Sequence, residues 1–361
     1  MRPRGRMAAQ SSTETEAWAK RMRLPQELSE AVQTVVETIE RRRLAQAVTQ
    51  LTERYKAGEF FSPAISNEAQ RAAYLAVRLP ATYAANLRTF SAIQLRAPQA
   101  QIASILDLGA GPGTATFAAA QMFPSLQRAT LIEADDHWLR TGKKLAERSL
   151  SPAVRGAQWL RQDLRSGFSC DPHDVVAVSY ALGELGRPAL EAVVGKAWAC
   201  AKQFLVIVEA GTPRGFATID AARSLVISSG AEILAPCPHK HVCPMAAAKD
   251  STPERAKAAH SGDPADWCHF AQRIERSSQH RQLKGGTLGY EDEKYSYVIG
   301  SRRRPEPSGG RIVRHPGKHS GHVQLVLCTP EGRLESRTVT RSSGSVYKRA
   351  RKAEWGDSWP E

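Results

Sequence analysis

The 361-residue chain lacks any run of eighteen or more apolar residues, so no stretch reads as a membrane-spanning helix. Its opening, MRPRGRMAAQSSTETEAW, has no apolar centre of the kind a secretory signal needs. Residues 1–23 therefore read as a disordered, cytosolic N-terminus. Cysteine is scarce, with six in the whole chain and no C-x-x-C pair among them. That argues against a disulfide framework and against the commonest zinc knuckles. Acidic residues fall short of basic ones, 36 against 50, leaving a net charge of +14. An excess of that size favours a polyanionic partner such as nucleic acid. No internal repeat is present.

What is there begins with helix. Over residues 24–100, Leu28, Val32, Val35, Val36 and Ile39 share one helical face, and Leu44, Val48, Leu51 and Tyr55 continue it. Gly58 and Pro63 break the run, Ser66 and Asn67 restart it, and Pro80 predicts a kink. Residues 101–211 then alternate short apolar strands with amphipathic helices, which predicts a parallel, doubly wound α/β sheet. Residues 212–290 form a Pro-, Gly- and His-rich insertion, residues 291–330 supply the last sheet strands, and residues 331–361 are a basic C-terminal tail.

Within the α/β region, LDLGAGPGT joins a strand to a helix. Gly109, Gly111 and Gly113 permit a tight turn and close approach of backbone to ligand, and Asp107 precedes them. The G-x-G-x-G spacing points to S-adenosylmethionine over a dinucleotide. Glu133, at the end of the second strand, is placed to accept from ribose hydroxyls, and Asp163, after the third, to meet an adenine amino group. After the fourth strand the chain reads SYALGEL, without the Asn/Asp-Pro-Pro-aromatic signature of base-amino methyltransferases. Tyr180 and Glu184 are the weak candidates for the reacting site, and the catalytic residues are otherwise unassigned.

Four cysteines, Cys237, Cys243, Cys268 and Cys328, come from the insertion and the end of the last strand. Together they could close one metal site and pin the insertion to the sheet. Spacing leaves two metals open: zinc with Cys237, Cys243 and one or two of His239, His241 and His269, or an iron–sulfur cluster, with which Cys-Pro pairs are compatible. Cys200 reads as core and Cys170 as a loop thiol. The basic residues Arg302, Arg303, Arg304, Arg311, Arg314, Lys318, Lys348, Arg349, Arg351 and Lys352, with Trp355 and Trp359 for stacking, read either as a nucleic-acid contact or as a solvated charged surface.

The stretches RLPATYAA, LDLGAGPGTA, SYALGELG, VEAGTPRGF, APCPHKHVCPM, DWCHFAQRIERS, EDEKYSYV and ARKAEWGDSW resemble the mitochondrial small-ribosomal-subunit assembly factors, a methyltransferase-like family with bacterial members. The resemblance implies a Rossmann-type class I methyltransferase sheet with an N-terminal helical region and a metal-binding insertion. It implies a 4Fe–4S cluster on Cys237, Cys243, Cys268 and Cys328, ahead of zinc. It further implies binding to small-subunit ribosomal RNA or the pre-ribosomal small subunit, as an RNA methyltransferase or as a catalytically inactive assembly factor. A monomer in the bacterial cytoplasm is expected, with the mitochondrial matrix as the alternative location. The stretch between Cys243 and Cys268 is longer and more charged than the mitochondrial pattern.

Overall fold

A computed structural model describes residues 22–56, 65, 67–247, 266–276, 278–284 and 288–360. Nearly all of the N-terminal segment, Gly58, Pro63, Ser66 and most of the stretch between Cys243 and Cys268 lie outside the described residues.

The helical region is built from α1 (Gln26–Val36), α2 (Arg41–Lys56), α3 (Glu68–Val77) and α4 (Leu79–Arg96). Asn67 caps α3: its side chain accepts from the Gln70 N–H at 3.0 Å, and Gln70 returns the bond. Pro80 does not kink a continuous helix. The chain breaks at Arg78, and Pro80 sits in the first turn of α4, where its missing N–H costs nothing. Helix α4 buries residues on every side, as a helix enclosed by protein must.

The main sheet carries β1 (Ser104–Leu108), β2 (Arg128–Glu133), β3 (Gln158–Arg161), β4 (His173–Ser179), β5 (Ala201–Ala210), β6 (Glu232–Ala235), β7 (Phe270–Glu275) and β8 (Tyr290–Ser301). Its order is β3-β2-β1-β4-β5-β8-β6, with β7 also on β8. The first five strands are parallel, and β8 runs antiparallel to β5, β6 and β7. A final antiparallel strand slotted between the fifth and sixth is the strand order of class I methyltransferases. Strand β1 is buried throughout, because helices cover both faces of a parallel sheet. On one face lie α4 and α5 (Thr114–Met122), with α6 (Asp136–Glu147) beside them; on the other lie α7 (Arg187–Cys200) and α8 (Pro213–Ser228).

The α/β rhythm runs further than its composition suggested. Helix α8 and strand β6 belong to the main sheet, so the irregular segment starts after Ala235. Residues 310–359, in contrast, leave the main sheet. They form a second sheet from β9 (Gly310–Ile312), β10 (Gly317–Lys318), β11 (His322–Cys328), β12 (Leu334–Thr340) and β13 (Ser358–Trp359). Helix α9 (Ser345–Lys352) lies against it. The segment read as a tail thus completes a small core of Ile312, Val323, Leu325, Leu327, Val339, Ala350 and Trp359. Its charged residues masked the alternation of β12, in which Val339 is the buried position. Among the described residues no helix is long and apolar enough to cross a membrane.

Candidate functional site

Strand order reverses between β1 and β4, which opens a crevice at the carboxyl ends of the strands. A cavity of about 680 Å³ occupies it, and Asp107, Gly109, Gly111, Glu133, Asp163, Tyr180 and Glu184 all line it. Gly109, Gly111 and Gly113 have φ of +66°, +53° and +86°, the left-handed region that a side chain resists. A Cβ on Gly111 would meet nothing within 4 Å, so its face opens onto the cavity. Gly113 has a different task and does not line the cavity. It caps α5, and a Cβ there would crowd Leu131 and Trp159 at 3.2 Å.

The carboxylates of the site are differently held. Glu133 accepts from the Gly111 N–H at 2.7 Å and from the Asp135 N–H at 2.9 Å, which fixes the glycine turn from the neighbouring strand. Burial still pushes its carboxyl above the ordinary range. Asp107 accepts the Thr116 N–H and hydroxyl on Oδ2, while its buried Oδ1 has no partner. Burial pushes its carboxyl up to about 7. Asp163 caps the turn at Leu164–Ser166, and the Arg165 N–H, bonded to its Oδ1, holds its carboxyl below the ordinary value.

Tyr180 is the one non-glycine residue with positive φ, +56°, among the described residues. Its hydroxyl donates to Glu293 on β8 at 3.1 Å instead of standing free. Two further features escaped the sequence reading. Glu209, at the carboxyl end of β5, lines the cavity and accepts from the Gly183 N–H at 3.0 Å; burial pushes it up to about 7. A carboxylate ending a strand of an open α/β sheet was the signal, in VEAG. The pairing of Arg78 with Glu293, across 215 residues, left no sequence signal at all.

The four cysteines come from separate elements. Cys237 and Cys243 flank the loop after β6, Cys268 precedes β7, and Cys328 ends β11 opposite Arg311 on β9. Cys243, Cys268 and Cys328 pack with Phe216, Met245 and Val313 in one small apolar cluster. Burial raises the Cys243, Cys268 and Cys328 thiols, and each feels the repulsion of others in the quartet, Cys237 included. His239 Nε2 lies 3.2 Å from Cys328 Sγ, and its buried Nδ1 has no partner. Arg223 of α8 donates to the carbonyls of His239 and His241 at 2.9 and 2.8 Å, and Arg311 to that of Pro236 at 2.9 Å. Among the described residues, no three His, Cys, Asp or Glu side chains converge closely enough to hold a single metal ion. The quartet is therefore gathered but does not form a one-ion site.

Several residues expected at an RNA surface are committed elsewhere. Arg311 is buried and bonds to Pro236 and Gly356; Trp359 is 3% exposed in the second core; Arg302 lies over the Trp198 ring and donates to the Trp198 and Ala201 carbonyls. Arg314 pairs with Asp266, and Trp355 sits half-buried against His269 and His315. Arg303, Arg304, Lys318, Lys348, Arg349, Arg351 and Lys352 remain at the surface.

A family model described as mitochondrial small ribosomal subunit Rsm22 matches residues 68–360. The chain belongs to the Rsm22 family. Among its curated relatives is the human mitochondrial ribosome assembly protein METTL17, 29% identical over 309 residues, covering 80% of this chain and 62% of that protein. The mitochondrial ribosome assembly protein RSM22 of Saccharomyces cerevisiae is 25% identical, covering 43% of this chain and 38% of that one. This Rsm22 family member thus spans less than two thirds of the length of these relatives. They also correct the bacterial cytoplasmic placement expected from the sequence, since both are named as mitochondrial proteins. Of the solved structures, a precorrin-6y C5,15-methyltransferase of Geobacter metallireducens aligns over 60% of this chain and 87% of its own, at 13% identity and a TM-score of 0.37. A magnesium protoporphyrin IX methyltransferase of Synechocystis with bound S-adenosylmethionine aligns over 62% and 84%, at 12% and 0.36. For the Rsm22 fold, the strand order carries the assignment.

Proposed function

We propose that this protein is a small-ribosomal-subunit assembly factor that binds S-adenosylmethionine in the β1–β4 crevice and ribosomal RNA on its basic surface. The observation that carries the reading is the single cavity wall formed by Asp107, Gly109, Gly111, Glu133 and Asp163. These are the residues a nucleoside with a charged tail needs: open backbone at Gly111, acceptors at Glu133, and an unpartnered carboxylate oxygen on Asp107. The cofactor, when bound, supplies an electrophilic methyl group. The relatives' role in ribosome assembly and the net charge of +14 support the RNA partner.

The cysteine quartet supports a 4Fe–4S cluster in preference to zinc. Its donors are three thiols in one apolar cluster and Cys237, whose charge each of them feels, with Arg223, Arg311 and Arg314 near enough to offset negative charge. Cys237, Cys243, Cys268 and Cys328 would hold the cluster, which would tie the β6 loop, the segment before β7 and the second sheet together. Helix α8 links this site to the pocket: it follows Glu209 and carries Phe216 and Arg223 to the cysteines.

Methyl transfer to RNA is a second reading. It is favoured by Glu209, a buried carboxyl at the pocket wall with a pKa near neutrality and so able to exchange a proton. The test uses the full chain, labelled S-adenosylmethionine and small-subunit RNA from cells lacking the protein. RNA binding that weakens steeply with salt supports the assembly factor, and label transferred to RNA makes it an enzyme. RNA affinity flat against salt overturns the RNA reading.

A further inference from the structure

The two cysteines outside the quartet, Cys200 in the core and Cys170 in the loop before β4, lie against each other. Cys170 Sγ lies 2.7 Å from Cys200 Sγ, closer than two unbonded sulfurs settle. The sheet register produces this contact. His173 of β4 pairs with Ala201 of β5, so the chain entering β4 and the last residue of α7 meet at the same end of the sheet. Cys200 is 5% exposed, and Cys170 is half-buried and reachable from solvent. From this juxtaposition we infer that Cys170 and Cys200 form a reversible disulfide, a redox site separate from the cysteine quartet.

The two residues stand thirty positions apart, and the loop they would close contains β4, the Tyr180–Glu184 pocket wall and α7. The bond would be a staple at the amino ends of the strands, across the sheet from the cavity. Its formation needs a two-electron oxidant, for which a small-molecule disulfide serves. A Cys170 thiolate attacks one sulfur of that disulfide, whose S–S bond breaks and expels one thiolate. The Cys200 thiolate then attacks the Cys170 sulfur and expels the second. Both cysteines are oxidised, the oxidant is reduced to two thiols, and the two protons lost from the cysteines pass to them. Burial, with the sulfur contact and charge repulsion of Cys200, pushes the Cys170 thiol up to about 12, so little thiolate exists near neutrality and the reaction is slow. The site is accordingly a staple that follows the prevailing redox poise, not a rapid peroxide sensor.

The test equilibrates the full chain with oxidised and reduced glutathione mixtures, quenches with acid, alkylates, and maps peptides by mass spectrometry. A Cys170–Cys200 linked peptide should accumulate with oxidant and vanish on reduction. Oxidation should raise Tm by roughly 5 °C, as expected for closing a loop of this size. Cys170→Ser and Cys200→Ala should each abolish the rise, and Cys200→Ala should leave glutathione trapped on Cys170. If Cys170 and Cys200 are both alkylated as free thiols under the most oxidising mixture, the inference is overturned. Linkage of either one only to a member of the quartet overturns it equally.

Discussion

Arg78 and Glu293 form a bidentate pair, with Nη1 and Nη2 each 2.9 Å from one carboxylate oxygen, and the Tyr180 hydroxyl donates to the same carboxylate. Three elements meet there: the α3–α4 junction, β8 and the residue that follows β4. Both side chains are largely buried, at 13% and 10% exposure. Breaking such a pair leaves a buried charge uncompensated. Glu293→Gln should therefore destabilise the fold by roughly 3 kcal/mol, measured by urea unfolding. Replacing both partners, Arg78→Met with Glu293→Leu, should recover most of that loss.

Asp107 makes stability depend on pH in a direction opposite to most carboxylates. Its folded pKa, about 7, lies above its ordinary value of 3.8. Between these values the folded state keeps a proton that the unfolded state has lost, so the unfolded state gains on the native one as pH rises. The contribution is complete below about pH 4 and is lost as pH climbs through 7. Asp107→Asn keeps an acceptor for Thr116 and has no proton to lose. Its Tm should fall less steeply than the parent's between pH 5 and 7.5, and an unchanged slope would remove burial as the cause.

Arg311 and the exposed arginines should part company. Arg311→Ala strands the Pro236 and Gly356 carbonyls and should cost roughly 2–3 kcal/mol of stability, with little effect on the salt slope of RNA binding. Arg303 and Arg304 are exposed, and their joint replacement by Ser should leave Tm nearly unchanged. It should lower the slope of log affinity against log salt by roughly 0.7–0.9 for each phosphate no longer neutralised.

For the cysteine quartet, protein purified without oxygen should be brown and carry about four irons and four sulfides per chain. Cys243→Ala or Cys328→Ala should lose both, and loosening of the second sheet should follow as faster amide exchange in β9 and β11. Stoichiometric zinc in colourless protein would overturn the cluster.

Much of this architecture was written in the chain. The apolar runs around Ile105, Leu131 and Val176 announced buried parallel strands, and the glycines after Asp107 announced the crevice, because both are local patterns. The second sheet was not legible: β9 has three residues and β13 two, and their partners are distant in sequence. Nor were Arg311 and Trp359, since a basic residue in a charged stretch looks solvated until a carbonyl is found to receive it. The Cys170–Cys200 juxtaposition depends on the β4–β5 register, which composition does not encode.

The pocket assignment rests most directly on calorimetric titration of the full chain with S-adenosylmethionine, beside Gly111→Ala and Gly111→Arg. The parent should bind one equivalent; the alanine, whose Cβ enters the cavity, should bind roughly tenfold or more weakly, and the arginine not at all, with both variants folded. A parent that gives no binding heat and no shift in Tm at millimolar ligand, or an arginine variant that binds as the parent does, would contradict the account.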